Sequence, residues 1–212
     1  AGLHVLCEKP LVLDFYLGNS DKANELVKLS EKQGKILSVN TQWPSVLGYI
    51  KNQVDFSKLS SFSMHMQPEA LGIDMLTEQL SHTNSIVVKL IPDGYAKNIR
   101  VSQYSEKDIA IDFKYINKNL ECDITYRFVH KADRPRKVMF SFNGLEFSRE
   151  IGENYQQRLV TDQTKFDIED PLKISIGKFV GAIEGKNFPL VSTKEILENT
   201  ALQDRIISEY MK

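Results

Sequence analysis

The sequence has few cysteines, no surplus of one charge and no long apolar run, and these absences exclude several classes of protein. Cys7 and Cys122 are the only cysteines in 212 residues. Each lies in an apolar, strand-like run, so both are expected to be small buried residues in a reducing compartment, the cytoplasm. Lysine and arginine number 27 against 28 aspartates and glutamates, which leaves no excess positive charge for nucleic acid or anionic lipid. No stretch approaches the roughly 18 to 20 apolar residues of a membrane span, and no signal-peptide pattern is present.

The motifs of several enzyme classes are also missing. No Cys/His spacing typical of a metal site is present, and neither is the G-x-S-x-G nucleophile elbow. The dinucleotide fingerprint G-x-G-x-x-G and the P-loop are absent as well. We therefore expect no metal, and no glycine-rich turn that cradles a phosphate.

The beginning of the chain follows a strand–helix–strand pattern. Residues 1–7 contain the apolar run His-Val-Leu-Cys, which predicts a buried strand, and residues 35–40 predict a second. Between them, apolar residues at helical spacing predict a helix over residues 21–33, capped by the polar residues 19–21 and stopped by Gly34. This is the pattern of a right-handed crossover in a parallel sheet. A buried strand does not normally open a domain unsupported, so we expect a fragment of a longer protein.

The rest of the chain alternates short strands with a few helices. A short helix is expected at residues 46–54, and longer ones at 75–90, 171–184 and 193–211. Strands are expected at residues 59–67, 98–104, 109–115, 121–129, 137–142 and 145–150. Asn143-Gly144 predicts a type I′ hairpin turn between the last two. The predicted fold class is α/β (α+β), with the end of a parallel sheet at 1–45 and an open, mainly antiparallel sheet with helices on one face at 46–212.

Two further patterns allow a functional and a structural interpretation. Three glycines recur at four-residue spacing, and the charged residues around them favour close packing of a soluble helix over a membrane helix: Gly177, Gly181 and Gly185. Four aromatic residues alternate along two strands, either as an exposed surface for self-association or packed under the helices: Phe113, Tyr115, Tyr126 and Phe128.

The chemically suggestive residues lie in two places. Glu8-Lys9-Pro10 follows the first strand, at the carboxyl edge where open α/β sheets bind ligands, and Lys9 there is suited to donate a hydrogen bond or a proton. Glu78 and His82 are four residues apart on a predicted helix, so the carboxylate is placed to orient the imidazole of a general base. In both places the alternative is a solvated surface pair. The remaining histidines are interpreted as structural: His4, His65 and His130.

Residues 1–10, Ala-Gly-Leu-His-Val-Leu-Cys-Glu-Lys-Pro, resemble the signature of the Gfo/Idh/MocA family of NAD(P)-dependent dehydrogenases, which includes glucose-fructose oxidoreductase and inositol dehydrogenase. The order of parts agrees with this family over nearly the whole chain, including Ser-Val-Asn-Thr-Gln-Trp after the second strand and the closing Leu-Val-Ser-Thr-Lys-Glu-Ile-Leu-Glu-Asn segment. The first 45 residues then correspond to the C-terminal remnant of a Rossmann-type domain, and the rest to a substrate-binding and oligomerisation domain.

The resemblance implies hydride transfer between a nicotinamide cofactor and a sugar, cyclitol or related small molecule. It implies that Lys9 holds the reacting oxygen and that His82 exchanges its proton. Glu78 stands where the family has Asp, which adds a methylene group and puts its orienting role in question. Further roles follow by position: Glu8, Lys9 and Pro10 near the cofactor, and Gln42 and Trp43 at the junction with the substrate.

The same resemblance implies an incomplete site for NAD or NADP, because the family's glycine-rich turn is not in these residues. The chain alone is therefore expected to bind the cofactor weakly or not at all. It is also expected to form a homodimer or homotetramer through the antiparallel sheet. The alternative is a natural non-catalytic module of the same fold that serves in assembly or binding.

Overall fold

Two separate sheets organise the chain, which a computed structural model describes over residues 2–13 and 18–212. The smaller sheet consists of two parallel strands, β1 (Val5–Glu8) and β2 (Leu37–Asn40). Helix α1 (Asn19–Lys32) connects them, so the expected strand–helix–strand unit is confirmed. The register places Glu8 opposite Asn40, and both strands therefore end at the same edge.

Strand β1 is more exposed than its apolar sequence predicted. Val5 is 45% exposed, and Leu3 just before the strand is 71% exposed. The reason is that β1 pairs with β2 along one edge only among the described residues. Strand β2, by contrast, is buried along its whole length.

The larger sheet has eight strands in the described part of the chain, in the order β10-β9-β8-β7-β3-β6-β5-β4. They are β3 (Ser61–Met66), β4 (Tyr95–Ser105), β5 (Asp108–Ile116), β6 (Glu121–Val129), β7 (Val138–Phe142), β8 (Leu145–Ile151), β9 (Gln157–Val160) and β10 (Lys165–Ile168). Neighbouring strands are antiparallel except for β3 and β6, which are parallel. The short strands β9 and β10 were not predicted. The β7–β8 hairpin was, and Asn143 and Gly144 have the positive φ angles, 50° and 83°, of its turn.

The helices agree with the expected ones to within a few residues. A 3₁₀ turn at Trp43–Val46 leads into the single-turn helix α2 (Leu47–Ile50). The longer helices are α3 (Gly72–Leu90), α4 (Pro171–Ile183) and α5 (Thr193–Tyr210). No helix among residues 2–13 and 18–212 is long and apolar enough to span a membrane.

The aromatic stripe packs under the helices, so its interpretation as an exposed surface was wrong. All four side chains are at most 4% exposed, and they belong to one core that includes the inner faces of α3 and α5: Phe113, Tyr115, Tyr126 and Phe128. The side chains that alternate with them point to the opposite, open face of the sheet.

Helix α1 is capped from a distant part of the chain rather than by its own first residues. Gly18 occupies the N-cap position and offers no side chain. The carboxylate of Asp204, in α5, instead accepts hydrogen bonds from the Ser20 backbone N–H at 2.9 Å and the Ser20 hydroxyl at 2.5 Å, and from the Asn19 amide at 2.8 Å. This contact fixes the small sheet and its helix to the C-terminal helix.

The three repeated glycines of α4 have three different environments. Gly181 lies against Asn187, where a Cβ would overlap that side chain, so close packing is correct there. Gly185 follows the helix with φ 72°, the usual geometry for a terminating glycine. Gly177 faces open space, so the expected close packing is wrong for this residue.

Candidate active site

The carboxyl ends of the two parallel strands form one polar edge. The Asn40 amide donates a 2.6 Å hydrogen bond to the Glu8 carboxylate across the pair. Asn40 is only 5% exposed, and its Oδ1 is buried without a hydrogen-bond partner. Glu8 is thereby held at the strand end, next to Lys9. The peptide bond between Lys9 and Pro10 is cis.

Lys9 joins this edge to helix α3. Its Nζ donates a 2.6 Å hydrogen bond to the backbone carbonyl of Glu78, 69 positions further along the chain. Burial lowers the pKa of Lys9, while the nearby carboxylates of Glu78 and Glu8 oppose this shift. The ammonium is therefore partly desolvated and attached to the helix that carries His82.

His82 lies one helical turn beyond Glu78, and its electrostatics are linked to Lys9. Burial and, secondarily, the positive charge of Lys9 lower the pKa of His82 to about 3. The imidazole is therefore neutral at neutral pH. Its Nδ1 is buried and has no hydrogen-bond partner among the described residues.

Among the described residues, the carboxylate of Glu78 makes no hydrogen bond to His82, so its expected orienting role stays a prediction. The carboxylate accepts a long hydrogen bond, 3.5 Å, from the side chain of Gln79. What Glu78 contributes directly to this cluster is its main-chain carbonyl, the acceptor for Lys9. Spacing on a helix face indicated proximity correctly, but it did not show which atoms of Glu78 make the contact.

The two residues expected at the substrate junction differ in accessibility. Gln42 is half-buried at the start of the 3₁₀ turn, whereas Trp43 is 2% exposed. The Trp43 ring packs edge-on against Phe140, with centroids 5.6 Å apart, and the Arg149 guanidinium lies over it at 5.3 Å. Trp43 is thus a core residue, and the expected place of Gln42 and Trp43 at the substrate junction stays a prediction.

Sequence reasoning missed two residues at this end of the molecule. Asn40 donates a hydrogen bond to the Glu8 carboxylate. Its place as the polar last residue of a buried strand was the sequence feature that could have indicated this role. Arg149 lies in β8, and nothing in the sequence pattern links it to Trp43. Within residues 2–13 and 18–212, no group of three histidine, cysteine or carboxylate side chains is placed to hold a metal ion.

An apolar groove of about 440 Å³ lies beside β1. Its walls include the exposed side chains of Leu3 and Val5 and those of Leu26 and Leu29 on α1. These exposed leucine and valine side chains form an apolar patch on the small sheet.

The architecture of this chain is similar to that of proteins of known structure. No family model matches the sequence, and no curated protein does. Among solved structures, UDP-N-acetylglucosamine 3-dehydrogenase GnnA from Acidithiobacillus ferrooxidans superposes with a TM-score of 0.70 at 15% identity, over 98% of this chain and 70% of that one. A Gfo/Idh/MocA family oxidoreductase from Vibrio cholerae gives a TM-score of 0.61 at 11% identity, over 98% and 70%. This chain shares the fold of these oxidoreductases.

The biliverdin reductase of Synechocystis sp. PCC 6803, solved with biliverdin and NADP+, is similar at a TM-score of 0.58 and 16% identity, over 98% of this chain and 72% of that one. The resemblance inferred from residues 1–10 and from the order of parts is therefore confirmed at the level of the fold. The mixed α/β class with two sheets is confirmed with it.

Proposed function

We propose that the chain is part of an NAD(P)-dependent oxidoreductase that transfers a hydride between a nicotinamide cofactor and a hydroxyl or carbonyl of a sugar, cyclitol or related small molecule. The observation that carries this proposal is the hydrogen bond from Lys9 to the Glu78 carbonyl, which holds a partly desolvated ammonium at a strand end beside His82. Perturbed groups gathered at such an edge are typical of catalytic sites.

The residues of this chain fit the nicotinamide end of such a cofactor. Glu8 and Lys9 lie at the edge of the parallel strands, and the unpaired Oδ1 of Asn40 offers an acceptor beneath them. Bound NAD(P) would supply the acceptor or donor of the hydride. The glycine-rich turn that holds a pyrophosphate is not in these 212 residues, so in this proposal another part of a longer polypeptide provides it. The apolar groove beside β1 supports such a neighbour.

Lys9 and His82 have distinct roles in this proposal. When substrate binds, the ammonium of Lys9 releases the Glu78 carbonyl and donates a hydrogen bond to the reacting oxygen instead. This bond holds the reacting oxygen in place. Because His82 is neutral, it accepts a hydrogen bond from a substrate hydroxyl and helps to align it. A positive charge on Lys9 and a neutral His82 are mutually reinforcing, since each ionisation state favours the other.

The names of two similar structures support the choice of chemistry. One is a dehydrogenase of a nucleotide sugar, and another binds NADP+ with its substrate. The proposed division is residues 1–45 for the end of the dinucleotide-binding domain and 46–212 for the substrate-binding and oligomerisation domain. Both cysteines are free thiols, which supports the cytoplasm as the compartment.

The test uses the longest natural polypeptide that contains these residues. NADH and NADPH binding is followed by nicotinamide fluorescence, and turnover is measured on a panel of sugars, polyols and their keto forms. We expect Lys9→Met and His82→Gln each to lower turnover about a hundredfold, with cofactor affinity little changed. Lys28→Met, on the exposed face of α1, and His130→Gln are matched controls that keep wild-type turnover. Near-normal turnover of both site variants would remove these assignments.

The second candidate function is a non-catalytic module of this fold. The observation that favours it is the exposed apolar groove beside β1, which suits docking of another protein surface. A polypeptide that binds neither NADH nor NADPH and oxidises or reduces no compound of the panel would favour this function over the enzyme.

We also propose that the open face of the large sheet mediates self-association into a dimer or tetramer. Small hydroxyl side chains form a cross-strand row at its centre, because Ser63 lies opposite both Thr125 and Ser141. Ion pairs such as Arg127–Asp108, at 2.5 Å, lie near this row. The small side chains of this row permit close approach of two sheets at the centre of the face.

A further inference from the structure

Arg149 is a half-buried cation without a carboxylate partner. Its Nη2 donates a 2.9 Å hydrogen bond to the backbone carbonyl of Arg136, and its Nε is buried without a hydrogen-bond partner in the described part of the chain. Within the described residues it forms no ion pair, whereas Arg127, Arg136 and Arg158 each pair with an acid. An arginine removed from water without a counter-charge is unfavourable, so its presence calls for an explanation.

The surroundings of Arg149 hold the guanidinium in place without neutralising it. One face lies over the Trp43 ring, 5.3 Å from its centroid. Asp170 acts on it electrostatically, but the Asp170 carboxylate accepts the 2.9 Å bond from the Leu172 N–H and caps α4. Burial lowers the pKa of Arg149, and Asp170 only partly opposes this. The group stays charged at neutral pH all the same.

The remaining nitrogen of Arg149 is free to bind a ligand. Arg149 is only partly buried, and within residues 2–13 and 18–212 its Nη1 makes no hydrogen bond. A planar guanidinium fixed at Nη2 and across its face loses little freedom when Nη1 takes up an anionic oxygen. The site is connected to the polar edge through Trp43, which follows the carboxyl end of β2 by three residues.

We propose that Arg149 forms an anion subsite, which binds a carboxylate or phosphate group of the substrate beside the Trp43 ring. The role in substrate recognition rests on the proposed oxidoreductase function, while the anion site itself does not. It would select anionic over neutral sugars or polyols, because a neutral substrate leaves the desolvated guanidinium unpaired.

Trp43 provides the readout, since it is the only tryptophan of the 212-residue chain. Its emission is titrated at constant ionic strength with inorganic phosphate, with acetate and with glycerol as the neutral comparison. We expect a saturable change with one or both anions and none with glycerol, and the stronger of the two identifies phosphate or carboxylate as the preferred group. Arg149→Gln should weaken anion binding at least about tenfold. Arg158→Gln, which removes an arginine paired with Asp167, should leave it unchanged.

Absence of a saturable anion response in the wild type, or an unaltered response in Arg149→Gln, would overturn the proposal. If circular dichroism shows that Arg149→Gln does not fold, Arg149→Lys decides, because it keeps the charge and loses the planar fork. Weaker anion binding by at least about threefold is then expected, and wild-type binding counts against the site. Anion binding without hydride transfer would leave the subsite standing and reject the oxidoreductase. Hydride transfer by the wild type, together with an unchanged KM in Arg149→Gln, would leave the oxidoreductase standing and reject the subsite.

Discussion

The side chain of Lys9 contacts the main chain of Glu78, because the lysine ammonium donates a 2.6 Å hydrogen bond to the Glu78 backbone carbonyl. The contact fastens the end of β1 to α3 one helical turn before His82. Since the acceptor belongs to the backbone, it persists whatever side chain occupies position 78. The sequence pattern Glu-x-x-x-His predicted a role for the Glu78 carboxylate, whereas the contact with Lys9 is made by the Glu78 carbonyl.

The first prediction concerns Glu78→Gln in the proposed enzyme. The variant keeps the carbonyl acceptor, so we expect a loss of less than about tenfold in turnover, against about a hundredfold for Lys9→Met. Removal of the carboxylate also removes a charge that raises the pKa of Lys9. The pKa of Lys9 should therefore be lower in the variant than in the wild type. Activity that needs the protonated lysine should then be lost at a lower pH than in the wild type, which the alkaline limb of a pH–rate profile measures. A loss as large as that of Lys9→Met would restore the orienting role of the carboxylate.

The second prediction is a pH dependence of stability that originates at His82. Its pKa is about 3 in the folded chain against 6.5 in the unfolded one, so the unfolded state binds a proton first as the pH falls. Stability is fully present above about pH 6.5 and is lost progressively below it, by on the order of 1 to 2 kcal/mol at pH 5. Urea unfolding at pH 8 and pH 5 measures this loss. His82→Gln should reduce the difference between the two pH values by that amount, and an unchanged difference would contradict the burial of a neutral imidazole.

The third prediction concerns the cap that α5 supplies to α1. Asp204→Ala removes the acceptor of the Ser20 N–H and hydroxyl and a negative charge at the helix N-terminus. We expect a loss of about 1 to 2 kcal/mol in the free energy of unfolding. Asp133→Ala removes a carboxylate at an exposed position and should change the free energy of unfolding by less than about 0.5 kcal/mol. Equal effects of the two substitutions in urea titrations would show that the cap contributes nothing.

Local features of the fold were predictable because neighbours in sequence create them. Apolar spacing predicted α1, α3, α4 and α5, and Asn143-Gly144 predicted the hairpin turn, since a single dipeptide determines its two φ angles. The end of β1 was predicted as a ligand-binding edge on similar local grounds, and its polar contacts lie there.

The features that sequence reasoning missed depend on residues far apart in the chain. Asp204 caps a helix 184 positions away, and β3 pairs with β6 in parallel across an intervening helix and two strands. Periodicity showed that Phe113 and Tyr126 share a face with their aromatic neighbours, but it does not tell which face the helices cover. The contact of Arg149 with Trp43 belongs to the same class, because it needs the fold to bring β8 beside the first 3₁₀ turn.

The last prediction tests the open sheet face as a surface for self-association. Ser63 lies at the centre of that face, with Thr125 and Ser141 beside it on the neighbouring strands. Ser63→Arg places a long cation where two copies would meet, and we expect light scattering at tens of micromolar protein to show a shift from dimer or tetramer to monomer. Ser208→Arg, on the exposed side of α5, introduces the same side chain away from the sheet and should leave the mass unchanged. A wild-type chain that is monomeric at this concentration, or a Ser63→Arg variant that associates like the wild type, would exclude this face as the interface.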